Sequence, residues 1–239
     1  MTGRVHSFQS LGTLDGPGLR SVVFLQGCPL RCGFCHNPDT WDFSGGEAME
    51  AADVAARVRR YKPYFGAEGG LTVSGGEALA QAGFVAELFE RCHQDGIHTC
   101  LDTSGCLQAK EEAALLAHTD LCLLDIKFTT DEEYVRYTGG HLDTVLAFLG
   151  RLEAAAVPVW IRQVIVPGLN DTLEQIDRLS AVIAPYRNIR RVEFLPFHKL
   201  CLEKYQAMGI PFPFDRYRAA LPDELAALQA RVRLPASRS

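Results

Sequence analysis

The sequence predicts an α/β fold built on a parallel sheet, and three observations carry that expectation. Short apolar runs alternate along the chain with segments of helical period. Each run is bounded by Gly, Pro, Asp or Asn, as buried parallel strands are. Polar residues gather where the runs end, the edge at which parallel α/β folds collect their ligands. The 239 residues are 47% hydrophobic and 22% charged, enough for a sizeable core. With no internal repeat, low-complexity tract or long linker, a single domain over residues 1–239 is expected.

The first run is SVVFLQ from Ser21, followed at once by a loop with three cysteines. MEAADVAARVRRY then reads as a helix, and LTVSG from Leu71 as the second strand. In LAQAGFVAELFERCHQDG, Phe84, Val85, Leu88, Phe89 and Cys92 line one helical face, with Gly96 as the stop. HTCLDT from His98 and DLCLLDIK from Asp120 are the third and fourth strands. Residues 131–156 hold two helices broken near TGGHLD. VWIRQVIV from Val159 is the fifth strand. A helix follows, capped by Asn170–Asp171 and closing before Pro185, and RVEFLP from Arg191 is the sixth strand. Strict alternation implies right-handed crossovers. Six units are fewer than the eight of a closed barrel, and an open doubly wound sheet fits the alternation equally well.

Composition excludes some functions. A net charge of −5 argues against a nucleic-acid grip. No run of 18 apolar residues is present, so no membrane span is expected. MTGRVHSFQS lacks the apolar stretch of a signal peptide, so a cytoplasmic location is expected. There, the eight cysteines are thiols or metal ligands rather than a disulfide framework.

QGCPLRCGFCHNPDTW, from Gln26, sets Cys28, Cys32 and Cys35 in C-x3-C-x2-C spacing, with Gly27 and Gly33 easing the turns. Three readings compete. Three buried structural thiols are rarely so spaced. Structural zinc wants four ligands, usually in C-x2-C pairs, and His36 adjoins Cys35 too closely to serve well as the fourth. A [4Fe–4S] cluster normally takes one thiolate per iron, so three leave one iron open to a small molecule.

C-x3-C-x2-C with an aromatic residue, Phe34, before the last Cys resembles the signature of the radical S-adenosylmethionine (SAM) superfamily. The stretches GRVHSFQSLGTLDGPGLRSVVFLQGCPLRCGFCHNPDTW, TVSGGEALAQAGFV, GIHTCLDTSG, LLDIK, WIRQVIVPG and LPFHKL resemble, in order and spacing, the pyruvate formate-lyase type of glycyl-radical-enzyme activase. The resemblance runs from about Gly3 to about Met208, and nothing is carried over to the tail beyond. Many such activases insert a cysteine-rich segment after the cluster loop. Residues 42–70 contain no cysteine, which favours the compact type.

The resemblance implies a partial (β/α)6 barrel, one [4Fe–4S] cluster on Cys28, Cys32 and Cys35, and SAM chelated at the open iron. Reductive cleavage of SAM then yields a deoxyadenosyl radical that takes a Cα hydrogen from one glycine of a partner, a glycyl-radical enzyme. The electron comes from a low-potential donor such as flavodoxin or ferredoxin. By the same resemblance Gly75, Gly76 and Glu77 meet SAM's methionyl end, while Phe34 and His36 face it beside the cluster. Asp125, Ile126, Lys127, Arg162 and Val164 line its pocket, and His198 lies against its adenosine. Asp102, Thr103 and Asp125 hold a monovalent cation, to which Leu123 can offer only a carbonyl. GTLDGPG, Gly12 to Gly18, is a turn by composition, and the resemblance makes Asp15 a partner-docking residue. Each of these has a plainer alternative: a glycine turn, helix-capping carboxylates, an ion pair, a structural histidine. Cys92, Cys100, Cys106, Cys122 and Cys201 share no ligand spacing and read as core or surface thiols. The rival functions are a radical SAM enzyme acting on a small molecule and a non-enzymatic metal-binding module.

Overall fold

The computed structural model describes residues 1–235. Among the described residues eight strands form one sheet: β1 Thr2–Gly12, β2 Arg20–Leu25, β3 Glu47–Glu50, β4 Gly70–Gly75, β5 His98–Thr103, β6 Leu121–Asp125, β7 Val159–Ile165 and β8 Ile189–Pro196. Their order is β3-β1-β2-β4-β5-β6-β7-β8, with β3 and β8 as open edges. The six expected strands stand next to one another in sequence order, the unclosed arrangement of a partial (β/α)6 barrel. Pairing is parallel between β2 and β4, β4 and β5, and β7 and β8.

Two strands lie outside that expectation. β1 runs antiparallel to β2, and β3 antiparallel to β1, so the sheet is mostly rather than wholly parallel. β1 alternates polar and apolar residues and is only partly buried, so it lacks the continuous apolar run that marks its neighbours.

The chain forms two compact units. The first comprises Met1–Pro29 with Thr40–Leu123, the second Leu30–Asp39 with the chain from Leu124 onward.

In the first unit, α1 (Ala51–Arg59) begins two residues later than its helical period suggests, because Met49 and Glu50 pair in β3. α2 (Ala82–Gln94) buries all five residues of the expected face, and Gly96 ends it at φ +62°. α3 (Glu112–Leu116) is a single short helix.

In the second unit, α4 (Asp131–Thr138) starts on the Thr130 side chain and stops at left-handed Gly139. α5 (Leu142–Ala154) follows at once, so the break near TGGHLD is where the sequence places it. α6 (Leu173–Ile183) carries a capping box between Thr172 and Gln175. The expected cap at Asn170–Asp171 is therefore displaced. Asn170 instead bonds Val166 N–H and the Val164 carbonyl, fixing the turn after β7. The tail adds α7 (Leu202–Ala207) and α8 (Pro222–Arg231). Among the described residues no helix is long and apolar enough to cross a membrane.

Candidate functional site

In the first unit, register decides what meets at the carboxyl edge. β2 pairs with β4 so that Leu25 stands beside Gly75. Gly76 N–H donates to the Leu25 carbonyl at 2.9 Å, and Glu77 N–H to the Gly27 carbonyl at 2.9 Å. The start of the cysteine loop is thus hydrogen-bonded to the Gly75–Glu77 turn, main chain to main chain. A Cβ on Gly76 would lie 2.4 Å from the Gly27 oxygen, and one on Gly75 2.3 Å from the Leu25 nitrogen. Gly75 and Gly27 also have φ of +111° and +94°. Close backbone approach requires glycine at 75 and 76, and positive φ favours it at 75 and 27. Cys28, half-buried, follows immediately, its N–H bonded to Trp41 O at 3.4 Å.

Glu77 is 1% exposed. Its carboxylate accepts from Leu79 N–H at 3.0 Å, from the Thr103 and Ser104 hydroxyls, and from Ser104 N–H at 3.0 Å. Cys106 Sγ lies 3.8 Å away. Its acceptor capacity is therefore spent on the protein. Glu77 ties the glycine turn to the end of β5, and what the turn offers a ligand is its backbone. Replacing Glu77 by Gln sets an NH2 group against that ring of donors. We expect a loss of about 1.5–3 kcal/mol, the range for hydrogen bonds to a charged group, read as a lower urea midpoint. An unchanged midpoint would remove Glu77 from this role.

Asp102 and Thr103 end β5, both buried. Ser74 Oγ donates to Asp102 Oδ2 at 2.6 Å, and Gly105 N–H to Thr103 Oγ1 at 3.0 Å. Asp15 lies elsewhere. Its carbonyl accepts from Thr72 Oγ1 at 2.6 Å, at the amino ends of β2 and β4. Fully buried Arg20 holds the same loop through the Pro17 carbonyl at 3.1 Å, with further bonds to Thr72 and the Leu71 carbonyl at 2.7 Å each. Within this unit the Gly12–Gly18 loop is at the edge opposite the glycine turn.

In the second unit, Cys32 is buried and Cys35 half-buried on a loop closed by Cys35 N–H to Cys32 O at 3.0 Å. Arg31 and Gly33 N–H donate to the Thr138 and Tyr137 carbonyls at the end of α4, at 2.8 and 2.9 Å. Gly33 is glycine for a different reason from Gly27. Its φ is ordinary, but a Cβ there would sit 2.1 Å from the Phe214 ring. Phe34 is buried, its ring centroid 6.1 Å from Phe128 and 5.8 Å from Phe214.

Asp125, Lys127 and Arg162 form one ionic group. Lys127 Nζ is 2.9 Å from Asp125 Oδ2, and Arg162 Nε 3.3 Å from Asp125 Oδ1. Burial alone pushes the Asp125 carboxyl up, but the two cations outweigh it and hold it below the usual range. Burial lowers Lys127 in turn, and Asp125 with Cys32 carries it well above. Ile126 N–H bonds the Arg162 carbonyl at 3.0 Å, and Lys127 N–H the Tyr134 hydroxyl at 2.9 Å. Val164 is half-buried on β7. His198 follows β8 with its ring stacked on His36 at 4.1 Å, while His36 Nε2 lies 3.0 Å from the His198 carbonyl.

The sequence-predicted residues thus gather in two groups. Cys28, Gly75, Gly76, Glu77, Asp102 and Thr103 belong to the first unit. Cys32, Phe34, Cys35, His36, Asp125, Ile126, Lys127, Arg162, Val164 and His198 belong to the second. Sequence reasoning missed the supports Tyr134, Tyr205 and Phe214; the aromatic spacing of PFPFDRY was the signal for the last.

A loop with three thiols directly after a strand, hydrogen-bonded to a glycine turn, is the arrangement of one class, and the family model described as the radical SAM superfamily matches residues 22–179. The pyruvate formate-lyase-activating enzyme of Clostridium pasteurianum is 46% identical over 211 residues, 88% of each chain. Among solved structures, a domain of pyruvate-formate lyase-activating enzyme from Bacteroides vulgatus aligns with a TM-score of 0.55 at 20% identity. It covers 69% of this chain and 92% of that one. A radical SAM methyltransferase from Sphaerobacter thermophilus aligns at 0.62 and 15% identity, covering 92% and 66%. At these identities the two structures speak for the fold alone. The chain belongs to the radical SAM superfamily and, within it, to the family of the pyruvate formate-lyase-activating enzymes.

Family membership brings a [4Fe–4S] cluster and SAM. The residues fit. Cys28, Cys32 and Cys35 are all thiols outside any disulfide on irregular chain, soft donors of the kind such clusters take. Burial pushes the Cys32 thiol up to about 11 against the pull of Lys127, so its thiolate is favoured only with a metal to stabilise it.

Proposed function

We propose that this chain activates pyruvate formate-lyase, a glycyl-radical enzyme, by generating its glycyl radical. The observation that carries the reading is identity of 46% across 88% of both chains, with the three thiols of the cluster loop in place. When bound, the reduced cluster supplies the electron that cleaves SAM to methionine and a radical able to abstract hydrogen.

The protein's own contribution is to bind, orient and exclude water. The Gly75–Gly76 backbone receives SAM's ammonium end, since side chains there are excluded and Glu77 is committed elsewhere. Asp125, Ile126, Lys127, Arg162 and Val164 line the SAM pocket. Phe34 and His36 face SAM beside the cluster. His198 presents to adenosine the ring face that His36 does not cover. Asp102, Thr103 and Asp125 offer oxygen ligands to a monovalent cation, as a hard ion prefers. One radical SAM domain over residues 1–239, a flavodoxin or ferredoxin as donor and a cytoplasmic setting complete the proposal. Gly12–Gly18 remains the proposed docking loop. Its place at the amino ends of β2 and β4 means that a partner segment touching both Asp15 and the glycine turn must run the length of a strand, roughly 20 Å.

The test mixes reduced protein, SAM and pyruvate formate-lyase, and reads the glycyl radical by electron paramagnetic resonance. SAM cleavage without a glycyl radical would point to a small-molecule substrate instead. In the same assay Asp15→Ala should keep SAM affinity and cluster content while radical formation slows about tenfold, roughly 1.4 kcal/mol of lost stabilisation. Equal losses of SAM affinity and activation would move the loop into the cofactor site.

A further inference from the structure

We propose that the segment from Lys204 to Phe214 is part of the cluster site, a clamp that positions the loop carrying Cys32 and Cys35 and keeps water from it. The inference rests on the reading that the three thiols hold a cluster. It assigns a function to residues beyond the 22–179 span that the family model matches.

The loop needs such support. Between Leu30 and Asn37 it contains neither helix nor strand. On one side it leans on the last carbonyls of α4. On the other, three anchors from the C-terminal segment reach it in turn. The Phe214 ring lies flush against Gly33, so closely that a Cβ would be 2.1 Å from the ring, and contacts Phe34 at 5.8 Å. The Tyr205 hydroxyl donates to the Cys35 carbonyl at 3.2 Å. Lys204 Nζ bonds Asn37 Oδ1 at 2.9 Å and Asp39 Oδ1 at 3.1 Å. The first two anchors are themselves buried, Tyr205 at 1% exposure and Phe214 at 5%.

The chemistry follows from that placement. Groups that do not touch a metal but fix its ligands change affinity and tuning nearly as strongly as ligands do. Solvent access and hydrogen bonding set the potential of an iron–sulfur cluster. The reduced cluster carries one more negative charge than the oxidised one, and water stabilises that charge better than an aromatic ring does. Phe214 therefore holds the potential low, as an electron donor to SAM requires, and shields the sulfurs from oxidants and chelators.

The experiment uses full-length protein reconstituted anaerobically with iron and sulfide: wild type, Phe214→Ala, Phe214→Leu and Tyr205→Phe. Iron per chain, the rate at which visible absorbance bleaches under EDTA, and the midpoint potential from a redox titration are read side by side. Phe214→Ala should lose its cluster about tenfold faster than wild type, with its potential shifted upward. Phe214→Leu, which restores apolar cover, should recover most of both. Tyr205→Phe keeps the ring and removes one hydrogen bond, so it tests the clamp even if Phe214→Ala fails to fold. It should bleach faster with a small change in potential. Wild-type rates and potentials in Tyr205→Phe and in folded Phe214→Ala would overturn the clamp. Failure of wild type itself to take up iron would overturn the cluster reading instead.

Discussion

Alanine in place of Cys28, Cys32 or Cys35 is expected to give protein that, after anaerobic reconstitution, holds iron at background level and forms no glycyl radical. With only three thiolates on the loop, losing one leaves two adjacent irons without protein ligands, and the remaining pair cannot retain the cluster. The three variants should differ when metal-free. Cys32 is buried at 8% exposure, whereas Cys28 and Cys35 are half-buried. Cys32→Ala therefore also opens a cavity and should lower the stability of the metal-free protein by about 1 kcal/mol, with Cys28→Ala close to neutral. Iron analysis, radical yield and urea midpoints check the three claims separately. Near-wild-type iron in any variant would show that another residue ligates.

Asp125→Ala carries the second large effect, and it falls on stability before it reaches SAM. The carboxylate faces Lys127 and Arg162, whose side chains are 12% and 9% exposed. Removing it leaves two buried cations beside each other without the carboxylate that both face. Breaking a buried pair in this way costs about 3–5 kcal/mol, much of it the penalty on the abandoned charges. Asp125→Asn keeps one acceptor oxygen and should lose less, while Lys127→Met should lose least, since Arg162 still neutralises the carboxylate. Urea unfolding of the metal-free proteins orders the three. A wild-type midpoint for Asp125→Ala would mean that water already reaches the group and that its role is in binding alone.

The parallel strands were legible because burial on both faces writes apolar runs such as the VVFL of β2, and because turn residues bound them; HTCLDT coincides with β5 residue for residue. The cysteine loop was legible because metal ligands come in spacings that packing seldom produces. β1 and β3 were not, since an edge ribbon alternates and its partner is set by pairing across dozens of residues. Glu77 was read as a residue meeting SAM, but a sequence cannot say that its carboxylate would be consumed by Thr103 and Ser104, 26 and 27 residues on. Gly33 was read as a turn residue; its cause, Phe214, lies 181 positions away, and although the aromatic spacing of PFPFDRY marks that stretch, nothing in one dimension joins it to Gly33.

The far end of that tail bears on how copies of this chain behave in company. β8 is an edge strand, and an uncovered edge is a template on which another molecule's strand can grow. α8 packs along it. Gln229 Nε2 donates to the Val192 carbonyl at 2.9 Å, and Arg231 pairs with Asp177 on α6. A side-chain amide thus occupies a carbonyl that a foreign strand would have to claim. The helix thus covers part of the β8 edge, where strand addition would otherwise begin.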